Sequence, residues 1–532
     1  MPKPDVPPGI VKKKPPTPPP PPPPEPPPVG STVAVVDPVT RLEGHLKIEV
    51  TVEGGVVTAA KATGTLFRGF EKILLNRDPA DAQHITQRIC GVCPVSHGMA
   101  AIMALDEAYG VTAPDNARIM RNLVLAANMI DSHILHFYHL TMPDFIDGPD
   151  MPPWQPSWSV DKRFDAPTTS ILIDHYVKAL EMRRKAHEAG AIFGGRLPHP
   201  PTYIPGGFTT RPTSTGIAKF KSLINEIISF TRQTYIPDAE ALAGRYDDYG
   251  KIGRGYGNLL AFGAFDLDAT GNNKLLKRGR IVNGSTTVNA VDIASITEQV
   301  TYSWYAEGAA LNPASGLTDP VDPATKTSAY SWLKAPRYSD LPYEAGPLAR
   351  MWVNNDYRTG ISVMDRHLAR ADETLKVAQA ALGWVDGLNL SGAVATPASV
   401  PASASAIGLT EAPRGALGHW LQISNGKISR YQIITPTCWN ASPKDASGQM
   451  GPIEKALVGT PVADIKQPIE VVRVIHSFDP CLSCAVHVMR PGEGKKFFAL
   501  NHYHGGEEIH THDHGHDHGP GHIHGHFTPH GD

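Results

Sequence analysis

The stretches RICGVCPVSH (Arg88–His97) and DPCLSCAVH (Asp479–His487) lie near opposite ends of a 532-residue chain and hold four of its five cysteines. Cys90 and Cys93 form one C-x-x-C pair, Cys481 and Cys484 the other, and a histidine follows each pair within four residues. This spacing lets two sulfurs grip one soft ion, and thiolates suit nickel, zinc, Cu(I) and iron-sulfur iron far better than magnesium or calcium. A structural zinc site, a redox pair and a disulfide are the alternatives. Zinc modules gather their ligands locally, whereas Cys90 and Cys481 are 391 residues apart. A redox C-x-x-C normally comes singly, and five cysteines make a poor disulfide framework for so long a chain. Four thiolates converging on one metal site is the reading that fits the spacing.

Composition bounds what surrounds that site. A hydrophobic content of 41% supports a large core, and the length allows two or three domains. A net charge of −3 supplies no basic field for nucleic acid. No apolar run reaches the roughly 18 residues of a membrane helix. Residues 1–30 contain 16 of the 50 prolines, including an unbroken run from Pro18 to Pro24, and read as an extended polyproline spacer. That spacer carries neither the apolar core of a signal peptide nor a twin-arginine pair.

Between the motifs the pattern is mostly helical. Val33 to Lys61 alternates apolar and polar residues around Gly54-Gly55 and predicts a hairpin or small sheet. Asp115 reads as an N-cap, with Ile119, Leu123, Ala126, Ile130 and Ile134 following at helical spacing. Similar periodicity covers 168–192, 215–247 and 362–388. Four long amphipathic helices predict a bundle, and bundle cores are good places to hold metals. The Gly-, Pro-, Ser- and Asn-rich stretches 250–360 and 390–410 predict long surface excursions.

The motifs, together with DPVTRLEGHLKIE, TLFRGFEKIL, HFYHL, EAGPLA, APRGALGHW and VIHSFDPC, closely resemble the large catalytic subunit of nickel-iron hydrogenases from about Val33 to His487. The resemblance implies a mainly α fold with small β-sheets (α+β), built around a long helical bundle. It implies a catalytic domain over 31–487 and a maturation extension over 488–532, cut after His487 by an endopeptidase once nickel-insertion proteins have loaded the metal. The implied reaction is heterolytic cleavage of H2, with electrons passed to a small subunit carrying the iron-sulfur clusters. The chain has no cysteines to spare for a cluster of its own.

By the same resemblance, Cys90 and Cys481 would be terminal thiolates on nickel, and Cys93 and Cys484 would bridge it to iron carrying carbon monoxide and cyanide. The proton would pass to Cys481 and then to Glu43. Arg414 would reach over the metals, its fork of donors suited to a cyanide nitrogen. Thr437, next to Pro436, would hydrogen-bond the other cyanide. Glu71, the main-chain carbonyl of Ile433 and His487 would hold magnesium or iron, a carboxylate and a carbonyl suiting a hard ion. His97 matches a histidine near the small-subunit contact.

One departure stands out. Many relatives carry an aspartate over the open metal position where this chain has Ser132, with Asp131 one residue earlier. On a helix that shift rotates the carboxylate by about 100°. The remaining cysteine, Cys438, reads as a small buried hydrophobe. Eleven of the 24 histidines fall after residue 500, a density that suits either nickel or zinc collection during maturation or an unstructured peptide that is simply discarded.

Two classes of function share this metal site: an uptake enzyme and a regulatory hydrogen sensor. Sensors generally lack the extension that continues here past His487. The blocks look most like those of periplasm-facing uptake enzymes, co-exported by the small subunit and coupled in some cases to a membrane cytochrome. A cytoplasmic location is the alternative.

Overall fold

Four long helices form a bundle in this computed structural model, which describes residues 30–485 except 153, 156 and 159. The central helix, α2 (Asp115–Ile134), follows α1 (Pro94–Tyr109), and nearly every side chain of α2 is buried. It packs against α3 (Ala166–Gly194) and α5 (Val363–Trp384), while α4 (Ser214–Phe230) lies against both α3 and α5. Buried on all sides, α2 carries its polar residues inward as well, among them Arg121, Asn128 and Asp131, each held by a hydrogen bond or ion pair. Side-chain caps fix the other starts: Asp165 accepts from the Thr168 amide, Thr213 from Gly216 and Ser362 from Asp365. Asp115 is the first helical residue of α2 rather than its cap. Pro114 takes that position and makes no side-chain cap bond.

The expected bundle is present, with bounds within a few residues of the periodic segments. The pattern over 215–247 is interrupted by a wider π-type turn at Thr231–Tyr235 before helix resumes at Ile236–Arg245. A second π-type stretch, Leu135–Thr141, extends α2 through the HFYHL block.

The N-terminal sheet also follows the sequence. Strands β1 (Thr32–Val36), β2 (Leu46–Glu53) and β3 (Val56–Gly64) form an antiparallel meander whose second turn is Gly54-Gly55, both at positive φ. Such a pair suits the tight turn between twisted strands.

Two expectations need correction. The segment 250–360 is a surface excursion only in part: 257–265, 333–338 and 342–353 are buried, whereas 282–330 is mostly exposed or half-buried. Leu259, Ala261 and Ile281, on short strands, build a second apolar cluster with Leu348, Met351 and Trp352 of the helix Pro347–Asn354. Its glycines and prolines serve tight turns between very short strands, a composition that alone looks like loop. The segment 390–410 likewise enters β4 (Ser403–Ala412), which pairs with β5 (Gly415–Ser424) and β6 (Lys427–Ile434) in an antiparallel sheet. These strands are buried on both faces along much of their length, so the alternating signal of a half-exposed strand is missing.

Candidate metal centre

The two cysteine motifs meet in the interior. Cys90 follows a single 3-10 turn (Gln87–Ile89), and Cys93 immediately precedes Pro94 at the start of α1. Asn128 on α2 donates to the carbonyl of Val92 at 2.9 Å and so fixes the loop between the two cysteines. The amides of Val92 and Cys93 point at the Cys90 sulfur, at 3.2 and 3.3 Å, an arrangement that stabilises a thiolate.

Cys481 arrives from the other end of the chain. Helix α6 (Ile469–Ser477) ends before the Asp479-Pro480-Cys481 turn, in which Asp479 adopts φ 55°. The Cys481 amide donates to the Thr437 hydroxyl at 2.9 Å, and Leu482 donates to the Glu43 carbonyl at 2.6 Å. Gly44, at φ 89°, is needed there, because a Cβ at this position would lie 2.3 Å from the Ser483 amide nitrogen.

The result is a cluster of sulfurs. Cys90 Sγ lies 3.4 Å from Cys481 Sγ, and the sulfurs of Cys90, Cys93 and Cys481 all fall within 4.8 Å of one another. All three cysteines are buried. Cys484 belongs to the short helix Leu482–Ala485, but its side chain lies outside the described residues, as do His487 and 488–532. The Pro18–Pro24 run also falls outside them.

Around the sulfurs stand the other expected residues. Arg414 occupies the two-residue turn between β4 and β5 and is only 1% exposed. Its Nη2 lies 2.9 Å from Asp479 Oδ1, while Nε and Nη1 have no hydrogen-bond partner among the described residues. Buried donors are normally satisfied, so these orphans fit a group that accepts hydrogen bonds beside the sulfurs. Pro436 and Thr437 open the short buried helix Pro436–Asn440. With Thr437 Oγ1 accepting from Cys481, its own proton can be donated into the site.

Glu43 is half-buried beside this cluster, bridged through its backbone to Cys481. Burial, with the sulfur of Cys90 beside it, raises its pKa above the ordinary carboxylate value. Arg414 and hydrogen bonds from Ser483 and Gly91 oppose that rise. A carboxyl tuned upward in this way suits reversible proton uptake.

Glu71 and Ile433 are also brought together, about the start and end of separate elements. The Ile433 amide donates to Glu71 Oε1 at 2.9 Å, and the Thr318 hydroxyl bonds the other carboxylate oxygen. Glu298 and Lys334 form a buried pair nearby at 3.3 Å, and Lys334 also donates to Gln432 at 2.8 Å.

His97 is fully buried on α1, its Nδ1 3.2 Å from His419 Nε2, whose other nitrogen meets Tyr431 Oη at 2.9 Å. Cys438 is buried and its thiol is pushed up to about 11 by burial, as a small hydrophobe's would be. Asp131 turns away from the sulfurs to pair with Arg183 (2.9 Å) and His187 (3.1 Å) on α3. Ser132 is fully buried, and its hydroxyl has no partner among the described residues. The carboxylate beside Arg414 is therefore Asp479, a residue inside the quoted DPC motif whose role the sequence reading did not single out. Asn128 and Gly44 were likewise missed, since neither carries metal chemistry of its own.

Comparison with known proteins agrees with this geometry. The nickel-dependent hydrogenase family matches residues 68–159, 150–360 and 354–487, and a HoxL-like match covers 34–62. The periplasmic [NiFeSe] hydrogenase large subunit of Desulfomicrobium baculatum is 41% identical, over 88% of this chain and 97% of its own length. The uptake hydrogenase large subunit of Rhizobium leguminosarum bv. viciae is 33% identical, over 86% and 95%. Among solved structures, the as-isolated oxidised Ni-Fe-Se hydrogenase of D. vulgaris Hildenborough superposes with a TM-score of 0.83 at 43% identity, covering 86% of this chain and all of that one. This chain belongs to the nickel-dependent hydrogenase family, as the large, catalytic subunit of an oxidoreductase acting on hydrogen, and a large subunit implies a small-subunit partner.

Proposed function

We propose that Cys90, Cys93, Cys481 and Cys484 hold a nickel-iron centre whose iron carries carbon monoxide and cyanide, and that the chain uses it as an uptake hydrogenase. The observation that carries this reading is the meeting of three buried sulfurs from motifs 391 residues apart beside an arginine with orphaned donors. When bound, the metal pair supplies a soft, electron-rich centre that polarises hydrogen.

The chain's own residues do the rest. The Cys481 sulfur accepts a proton and Glu43 takes it onward, its raised pKa bringing donor and acceptor closer in proton affinity. Arg414 and the Thr437 hydroxyl donate to the diatomic ligands and fix their orientation. Burial of every sulfur described excludes bulk water from the reaction. Electrons leave to iron-sulfur clusters in the small subunit.

Glu71, the Ile433 carbonyl and His487 would hold magnesium or iron. Supporting this, Glu71 and Glu298 place two carboxylates against the single ammonium of Lys334, a balance that favours a further cation. Residues 488–532 would be a maturation extension removed after His487 by an endopeptidase. The complex would work on the periplasmic side, as the name of the Desulfomicrobium relative suggests. No helix among the described residues is long and apolar enough to cross a membrane.

The proton route is tested by Glu43→Gln in the two-subunit complex, measuring exchange between deuterium gas and water together with nickel content. Exchange should slow by about a hundredfold or more at unchanged nickel content. Exchange at the wild-type rate would remove Glu43 from the route.

A further inference from the structure

Arg68, in the block TLFRGFEKIL, is the one side chain among the described residues that hydrogen-bonds the backbones of both cysteine motifs. Its Nη1 donates to the Ile89 carbonyl at 2.7 Å and to the Ser483 carbonyl at 3.4 Å, and its Nη2 donates to the Arg88 carbonyl at 2.9 Å. Ile89 immediately precedes Cys90, and Ser483 immediately precedes Cys484. The guanidinium therefore fixes the peptide unit leading into one cysteine of each pair, across 415 residues of sequence.

The rest of the neighbourhood holds Arg68 in this pose. Its guanidinium lies 4.7 Å from the centroid of the Phe70 ring, a cation-π contact that restricts the long side chain. Gly69, between them, is left-handed at φ 65° and turns the chain sharply into the helix Phe70–Ile73. Glu71 on that helix reaches the Ile433 amide, so four consecutive residues connect the cysteine cluster to the second candidate metal site. Arg68 meets no carboxylate in an ion pair among the described residues, and its hydrogen bonds there all go to main-chain carbonyls.

We propose that Arg68 is a positioning residue for the metal centre: it docks the C-terminal cysteine motif onto the N-terminal one and sets the separation of Cys484 from Cys90. The planar fork does this where a lysine would not. Its two terminal nitrogens reach three carbonyls at once, whereas an ammonium is a compact point charge with no fixed fork. Groups that orient ligands without touching the metal typically carry a tenfold to hundredfold effect on metal affinity or activity. The inference rests on the nickel-iron reading of the four cysteines.

The test uses the complete two-subunit complex with Arg68→Lys and Arg68→Met. Three quantities are read: the melting temperature, the rate of nickel loss to a chelator, and the infrared stretches of the iron-bound diatomic ligands. For Arg68→Lys, nickel should be lost about ten to a hundred times faster, with displaced or broadened cyanide stretches and wild-type melting. Arg68→Met should show the same or a larger loss. Wild-type nickel retention and an unchanged spectrum in Arg68→Lys would overturn the proposal. So would nickel loss that merely tracks a lowered melting temperature, since Arg68 would then be a structural residue only. If Arg68→Met does not assemble, the lysine variant, which keeps the charge and the stem, decides. Wild-type complex without diatomic stretches would refute the nickel-iron reading itself, and that outcome is distinct from any result on Arg68.

Discussion

Arg414 sits where few charged side chains can, at the tip of a hairpin that is buried rather than exposed to water. Its charge is offset by Asp479 and by the neighbouring sulfurs, and its Nε and Nη1 have no hydrogen-bond partner among the described residues. Replacing it with lysine keeps the charge but removes the fork, which at such a site is not a conservative change. In Arg414→Lys we expect the hydrogen-oxidation rate to fall about tenfold to a hundredfold while nickel content is maintained. A wild-type rate per nickel would contradict the assigned role. At this scale the cysteines, Glu43, Arg414 and Thr437 stood in motifs that drew notice, and the structure brings those it describes together, but Asp479, the carboxylate beside Arg414, was passed over. The sequence was silent on residues that act through the backbone. Arg68, Asn128 and Gly44 hold carbonyls or make room for a chain crossing, and nothing in their identity announces which distant strand they serve.

Among the elements, the helices were the most legible because their apolar positions recur over five or more turns. Strands β4 to β6 were not, since burial on both faces erases alternation and the tip at Arg414 has no Asn-Gly or Asp-Gly signature. How such elements are joined also sets a pH dependence. Glu454, on the helix Pro452–Leu457, accepts from the Ala62 amide of β3 (2.9 Å), the Tyr330 hydroxyl (2.8 Å) and the Gly451 amide (3.2 Å). It is fully buried and makes no ion pair among the described residues, and burial pushes its pKa from 4.5 up to about 7. The folded state thus holds this proton more tightly than the unfolded chain. The associated stability is present below pH 4.5 and is lost as pH rises through 7, by about 3 kcal/mol in all. Between pH 5 and 8, wild-type protein should lose more unfolding free energy than Glu454→Gln does. Parallel pH profiles for the two would contradict this account.

For the whole molecule, the bundle and the sheet meet at one buried charge network. Arg350 makes a two-pronged pair with Glu373 of α5 (2.7 and 2.6 Å), and Glu373 in turn meets His133 of α2 at 2.8 Å. The same arginine donates to Glu411 and to the carbonyls of Ala412 and Pro413, each at 2.9 Å, which are the residues leading into the Arg414 turn. The helical body thereby fixes the hairpin tip over the sulfurs, while Thr437 and the Glu43 backbone fix the C-terminal motif beneath it. A chain whose two ends must meet needs such long-range ties, and they explain why a catalytic site is assembled from segments so far apart. On the proposed function, the place where they meet holds a nickel-iron pair. The most direct test is the infrared spectrum of the complex purified with its small subunit. Carbon monoxide and cyanide stretches that shift when hydrogen gas is admitted are the expected result. A fully nickel-loaded complex that lacks those bands, or whose bands ignore hydrogen, would contradict it.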